Sequence, residues 1–234
     1  MYLHIEPAIF ERFPRMRVVV AIAQRVDNQR DRPELTTRWH TIWKHAASEA
    51  RLYGNAQSHP HVRAFREQFR AMGVSNKKFP SAIEALLRRV LKEDAPFHIN
   101  TLVDFYHTVS LQYVVPVGGF DLGVLHAPVQ ARLTREGDRF QALDDDLPQL
   151  LPPGEVAYAS GQTVLTRHLM WRQACTGLLT HTTSSALLVA EIPGNIGEEV
   201  AITVQTALQT GLQEYFDVPA LTFLLDEDSP TAAW

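Results

Sequence analysis

The chain has 234 residues, 45% hydrophobic and 21% charged, an ordinary globular composition rather than a disordered one. Its longest unbroken apolar run, Val18 to Ala23, is far short of the roughly 20 residues a membrane-crossing helix needs. The single cysteine, Cys175, rules out an internal disulfide and a thiolate zinc cage.

The opening residues, Met1 to Glu6, lack a basic segment followed by a long apolar stretch, so no secretory signal is expected and the protein is read as cytoplasmic. The net charge of −4 is unevenly spread: residues 1–100 sum to +7 and residues 101–234 to −11. A basic front half permits a polyanionic partner on one side, and equally suits plain segregation of solvated charge.

The β-branched run Arg17–Ala23 predicts a buried strand. Pro33 opens a helix through Trp39, Ile42, Trp43, Ala46 and Ala47 that should stop near Gly54-Asn55. A second helix runs from Pro60 to Met72, with Val62, Phe65, Phe69 and Met72 facing inward, and Gly73 ends it. Lys77-Lys78-Phe79-Pro80-Ser81 is a basic turn, with Ser81 placed to cap a helix over Ala82–Lys92.

A fourth helix, from Asn100 to about Val114, carries Leu102, Phe105, Val109 and Tyr113 as its stripe and must break at Pro116-Val117-Gly118-Gly119. Strand spacing then takes over at Val129–Leu133, Glu155–Ala159, Thr163–His168 and Ala186–Ile192. Asp144-Asp145-Asp146 reads as a solvated acidic loop, since three adjacent aspartates cannot all point at one ion. A last amphipathic helix spans Gly197–Phe216. The acidic tail, 226–234, is expected to be mobile, and residues 1–225 are read as one domain.

Neither a phosphate-binding loop, nor a dinucleotide fingerprint, nor a Gly-x-Ser-x-Gly elbow occurs, and no cofactor or metal is expected. Three segments stand out. Asp104 and His107 lie three apart on one helix face, where the carboxylate either orients the imidazole as a base or simply locks the helix in place. The Gly118-Gly119 pair leaves backbone N–H groups accessible to an oxyanion, or merely makes a tight turn. Glu191 closes an apolar strand, a costly place for a carboxylate without a partner such as Arg172 or a ligand's ammonium.

In order, these segments resemble the B3/B4 tRNA-editing domain of the phenylalanyl-tRNA synthetase β subunit, and more closely its free-standing relatives. The first block is Ile99 to His107 running on through Pro116 to Leu122, and the second is Thr163 to Glu191. Lys77 to Ser81, followed by Glu84 to Arg89, is typical of the free-standing members. The resemblance covers roughly Phe65 to Ile192.

The resemblance implies an α+β fold in which helices of the N-terminal half cover a mixed β-sheet or sandwich core. It also implies hydrolysis, in trans, of the ester of a mischarged aminoacyl-tRNA by a positioned water. His107, Asp104, Gly118 and Gly119 would then be catalytic, and Glu191, Arg172, Tyr106 and Trp171 would hold the amino acid. Lys77, Lys78, Arg88 and Arg89 would contact phosphates at the tRNA acceptor end. The family's Thr-Asn pair falls on Tyr106 and His107, its histidine on Gly118, and its arginine on Thr101. Tyrosine specificity is therefore not carried over. A non-catalytic module that binds tRNA, another RNA or an amino acid is the alternative expectation.

Overall fold

The computed structural model describes residues 1–234. Its helices are α1 (Pro7–Arg12), α2 (Pro33–Leu52), α3 (Pro60–Ala71), α4 (Ala82–Val90), α5 (Thr101–Tyr113) and α6 (Glu198–Phe216). The strands of the first two-thirds of the chain are β1 (Tyr2–Ile5), β2 (Arg17–Gln24), β3 (Val117–Asp121), β4 (Val129–Leu133), β5 (Arg139–Phe140) and β6 (Gln149–Leu150). Those of the last third are β7 (Val156–Ser160), β8 (Thr163–Arg167), β9 (Arg172–Gln173), β10 (Ser185–Ile192), β11 (Ala220–Leu225) and β12 (Thr231–Ala233).

The fold is α+β, with two sheets face to face. The smaller is fully antiparallel in the order β11-β2-β10-β3. The larger is mixed, in the order β12-β1-β4-β7-β8-β5-β6, with β9 paired to β8. The apolar run of β2 shows why this layering forms. Side chains alternate across a strand, so Val18, Val20 and Ile22 enter a core shared with the larger sheet and with α2, α3 and α4. Val19, Ala21 and Ala23 enter a second core under α5 and α6. Both faces are buried, so the strand reads as a continuous apolar run.

Front-half helices cover the sheets as expected, with α6 added over the smaller sheet and β1 and β2 joining strands that come mostly from the rear half. One expectation changes here. The tail is ordered in part: Thr231–Ala233 pairs with Tyr2–His4 of β1, and Ala232 is completely buried. Its acidic composition concealed a short segment whose backbone completes a sheet edge.

A buried amide pair sets the position of α5. The Asn100 side chain caps the helix by accepting from the Val103 N–H at 3.1 Å and also accepts from the Asn28 amide at 3.0 Å. Its own amide donates to the Leu179 carbonyl, and the Asn28 carbonyl accepts from the Leu102 N–H. Asn100→Ala removes the cap, leaves the Leu179 carbonyl without its donor, and leaves the Asn28 amide with only its bond to the Thr180 carbonyl at 2.7 Å. We expect a loss of about 2–3 kcal/mol by urea denaturation, with Asn100→Ser recovering part of it.

Candidate functional site

A cavity of about 130 Å³ opens between the two sheets. Its walls are Phe120, Val189 and Glu191 from the smaller sheet, Tyr158 and Thr166 from the larger, and Tyr106 and His107 from α5. The segment Leu169–Gln173 closes one side. His168 and Leu169 in that turn both have left-handed backbones, at φ +49° and +57°, a costly conformation for residues other than glycine. The turn is tied down by the Ala82 N–H at the start of α4, which donates to the Met170 carbonyl at 2.6 Å.

Glu191 lies on the same face of β10 as Leu187 and Val189 and is only 3% exposed. Burial pushes its carboxyl up from 4.5 to about 7, and the neighbouring Tyr158 phenol and a backbone group oppose that shift only in part. The Tyr158 Oη does not meet hydrogen-bond geometry with any group. Arg172 lines the cavity but does not neutralise Glu191; its guanidinium is paired with Asp144. That loop contact was not evident because Asp144 lies 28 residues away along the chain.

Gly118 and Gly119 are not a turn but adjacent residues of β3, opposite Val189 and Leu188. The Gly119 carbonyl accepts from the Gln173 amide at 2.8 Å, and the Asp121 N–H reaches the Gly177 carbonyl, so these alternate residues face the open edge. By the alternation of an antiparallel ladder the Gly119 N–H lies on that free edge, while the Gly118 N–H is turned toward β10. One amide, not two, is available to an oxyanion. Glycine at 119 is also a packing requirement, because a Cβ there would come within 2.8 Å of both Leu179 and Leu188.

The Asp104–His107 pair does not form. Asp104 is bonded to His98 Nδ1 at 2.5 Å and does not line the cavity. His107 instead stacks on Trp39 with ring centroids 5.9 Å apart. Burial lowers its pKa to about 3, so the imidazole is neutral near pH 7, with Nδ1 enclosed and unpartnered. Helical spacing pointed to a partner within the helix, whereas a histidine just before the helix captured the carboxylate.

Of the four basic residues expected to meet phosphates, Arg88 is bound to the buried Glu84 at 2.5 Å. Arg89 pairs with Glu93 and lies over the Phe97 ring at 3.8 Å. Lys77 and Lys78 are exposed. They precede Phe79, which packs edge-on against the cavity residue Trp171 with centroids 4.6 Å apart.

The family model for the B3/4 domain matches residues 65–206, more than half of the sequence. The chain belongs to the B3/4 domain family. Among solved structures it is similar to the crystal structure of an N-terminal fragment of the phenylalanyl-tRNA synthetase β-subunit from Pyrococcus horikoshii, with a TM-score of 0.49 and 10% identity. That match covers 96% of this chain and 54% of the fragment, so the chain spans about half of the structure it resembles. No curated protein matches. No helix is long and apolar enough to cross a membrane.

The B3/4 match includes every cavity wall named above. It also includes two residues that the sequence did not single out, Tyr158 and Thr166. Both oxygens are buried without a hydrogen-bond partner. In sequence, Tyr158 is an aromatic residue in an apolar strand, indistinguishable from ordinary core. Only the absence of a partner for its hydroxyl, a property of the folded chain, marks it.

With a folded pKa of about 7 against 4.5 for the free group, Glu191 holds a proton between these values that the unfolded chain has lost. Its contribution to stability is complete below about pH 4.5 and is lost as the pH rises through 7, at a cost of about 3 kcal/mol. Glu191→Gln abolishes this dependence. The stability of the Gln variant relative to the parent should rise by about that amount between pH 4.5 and 8, measured by urea denaturation at each pH.

Proposed function

We propose that this B3/4 protein is a stand-alone deacylase that hydrolyses a mischarged aminoacyl-tRNA in trans. The observation that carries the reading is the convergence of a free-edge amide, Gly119 N–H, and a buried carboxylate, Glu191, in one small cavity beside the exposed Lys77-Lys78 turn. A nucleophile of the Ser-His or Cys-His kind is not required. A water oxygen attacks the ester carbonyl, and the resulting oxyanion accepts from the Gly119 N–H. The carbon–oxygen bond to the ribose then breaks, the water's proton passes to the ribose oxygen, and free amino acid and tRNA leave.

In this reading Glu191 anchors the aminoacyl group, with Tyr106 and Trp171 as walls. His107 positions water through a neutral imidazole rather than acting as a charged acid. Asp104 has no direct part, and Arg172 acts from the rim. Lys77 and Lys78 meet acceptor-end phosphates, whereas Arg88 and Arg89 serve chiefly to order α4.

A second reading, a binding module without chemistry, draws on one observation: His107 lacks a carboxylate to orient it, and its low pKa makes it a weak base. Incubation with a panel of mischarged tRNAs separates the two. Release of amino acid from one or a few members is the expected result, and binding without release would favour the module. Turnover should fall in His107→Ala, and unchanged turnover would remove the imidazole from the mechanism.

Substituting both Lys77 and Lys78 by Ala should raise KM with little change in kcat. It should also flatten the dependence of log affinity on log salt by a slope of about 1–2.

A further inference from the structure

The cavity wall carries two buried hydroxyls that make no well-formed hydrogen bond within the fold: Thr166 faces no partner, and Tyr158 lies beside the Glu191 carboxyl. Tyr158 and Thr166 are direct partners across the β7–β8 ladder, so their side chains share one face with Cβ atoms about 5 Å apart. Both line the cavity, and both oxygens are fully buried without a hydrogen bond. The Glu191 carboxyl reaches the same space from β10 and neighbours the Tyr158 phenol. No protein cation answers it: Arg172 is held by Asp144, and the His107 imidazole is neutral.

A wall that only had to fill volume would carry Phe and Val at these two positions, which are nearly the same shape and bring no unpaired oxygen. Each buried hydroxyl left without a partner is destabilising. We propose that Glu191, Tyr158 and Thr166 form a three-acceptor seat for a primary ammonium group of the substrate. The carboxylate supplies the opposite charge and the two hydroxyls supply further acceptors, which matches the three N–H donors of an –NH3+ head. A ligand hydroxyl offers one donor and no charge, and it would leave the seat largely unsatisfied. The proposal rests on reading this cavity as the aminoacyl site, and it adds the substrate class. The ammonium could be the α-amino group of any aminoacyl ester or the side-chain amino group of a lysine-like one.

Three probes separate these sources by calorimetric titration of the full chain. Alanine methyl ester carries only an α-ammonium, Nα-acetyl-lysine methyl ester only a side-chain ammonium, and N-acetyl-tyrosine methyl ester a hydroxyl and no ammonium. At least one ammonium probe should bind about tenfold or more tightly than the hydroxyl probe, and which of the two binds names the source. Tyr158→Phe and Thr166→Val should each weaken that probe by roughly three- to tenfold, and Glu191→Gln by more than tenfold. All three replacements are close to isosteric, and thermal melting checks that each variant folds. The probe comparison on the parent protein needs no variant at all.

Equal or tighter binding of the hydroxyl probe, no binding of either ammonium probe, or unchanged affinity in both hydroxyl variants would overturn the proposal. Binding is read without tRNA or turnover, so the two readings fail separately. A protein that seats an ammonium probe yet releases nothing from mischarged tRNA loses the deacylase reading and keeps the seat. One that deacylates tRNA with all three substitutions silent loses only the seat.

Discussion

A carboxylate enclosed where two β-sheets press together is the constraint on which the site depends. Glu191 continues the inward face of β10 after Leu187 and Val189, positions where the fold otherwise places aliphatic side chains. The sheets are held in contact nearby by Phe120 against Tyr158, with ring centroids 5.7 Å apart. Water is therefore excluded from most of the carboxyl, and its ionised form is disfavoured. The rest of the core must offset that cost.

The other half of the site comes from the opposite property, an unfinished sheet. β3 is an edge strand, and alternate backbone groups along it look away from β10. Gly119 sits where this edge meets the cavity, and its missing Cβ does two things. It lets Leu179 and Leu188 close on the strand from the helical side, and the backbone N–H stays on the free edge. The Leu179 segment is in turn tied to α5 through Asn100. The placement of His107 and the placement of the free amide thus share one buried polar network.

What was legible in the sequence follows from the range of the interactions involved. The strand β2, the helices α2 to α6 and the cap at Ser81 rest on local periodicity and local hydrogen bonds, and they lie where the pattern put them. Glu191 was visible because a carboxylate in an apolar strand violates the local rule. The short strands β5, β6, β9 and β12 exist through pairing with distant segments and carry little pattern of their own. Side-chain partnerships were the least legible. Asp104 turns to His98 and Arg172 to Asp144, contacts decided by how loops return to the sheets rather than by helical or strand spacing. Tyr158 and Thr166 were invisible as functional candidates for a related reason: composition records that a hydroxyl is present, and only a fold records that nothing bonds to it.

The basic front half illustrates the same distinction between composition and availability. Glu84, fully buried, holds both Arg66 at 2.8 Å and Arg88 at 2.5 Å. The Arg66 bond ties α4 to α3 while the Arg88 bond lies within α4, and α4 begins at the bond from Ala82 to Met170 that braces the cavity turn. These cations are structural because an unpaired Glu84 would be a buried, uncompensated charge. Of the four basic residues expected to meet phosphates, Lys77 and Lys78 are the exposed pair without an ion-pair partner, and they lead into the Phe79 ring that leans on Trp171. The overall +7 of residues 1–100 overstates the field a nucleic acid would meet. On the deacylase reading the approach is therefore narrow: a phosphate at this turn steers the terminal ester past Trp171 toward the Gly119 edge, and the acidic Asp144 loop on the Arg172 side disfavours entry from the other direction.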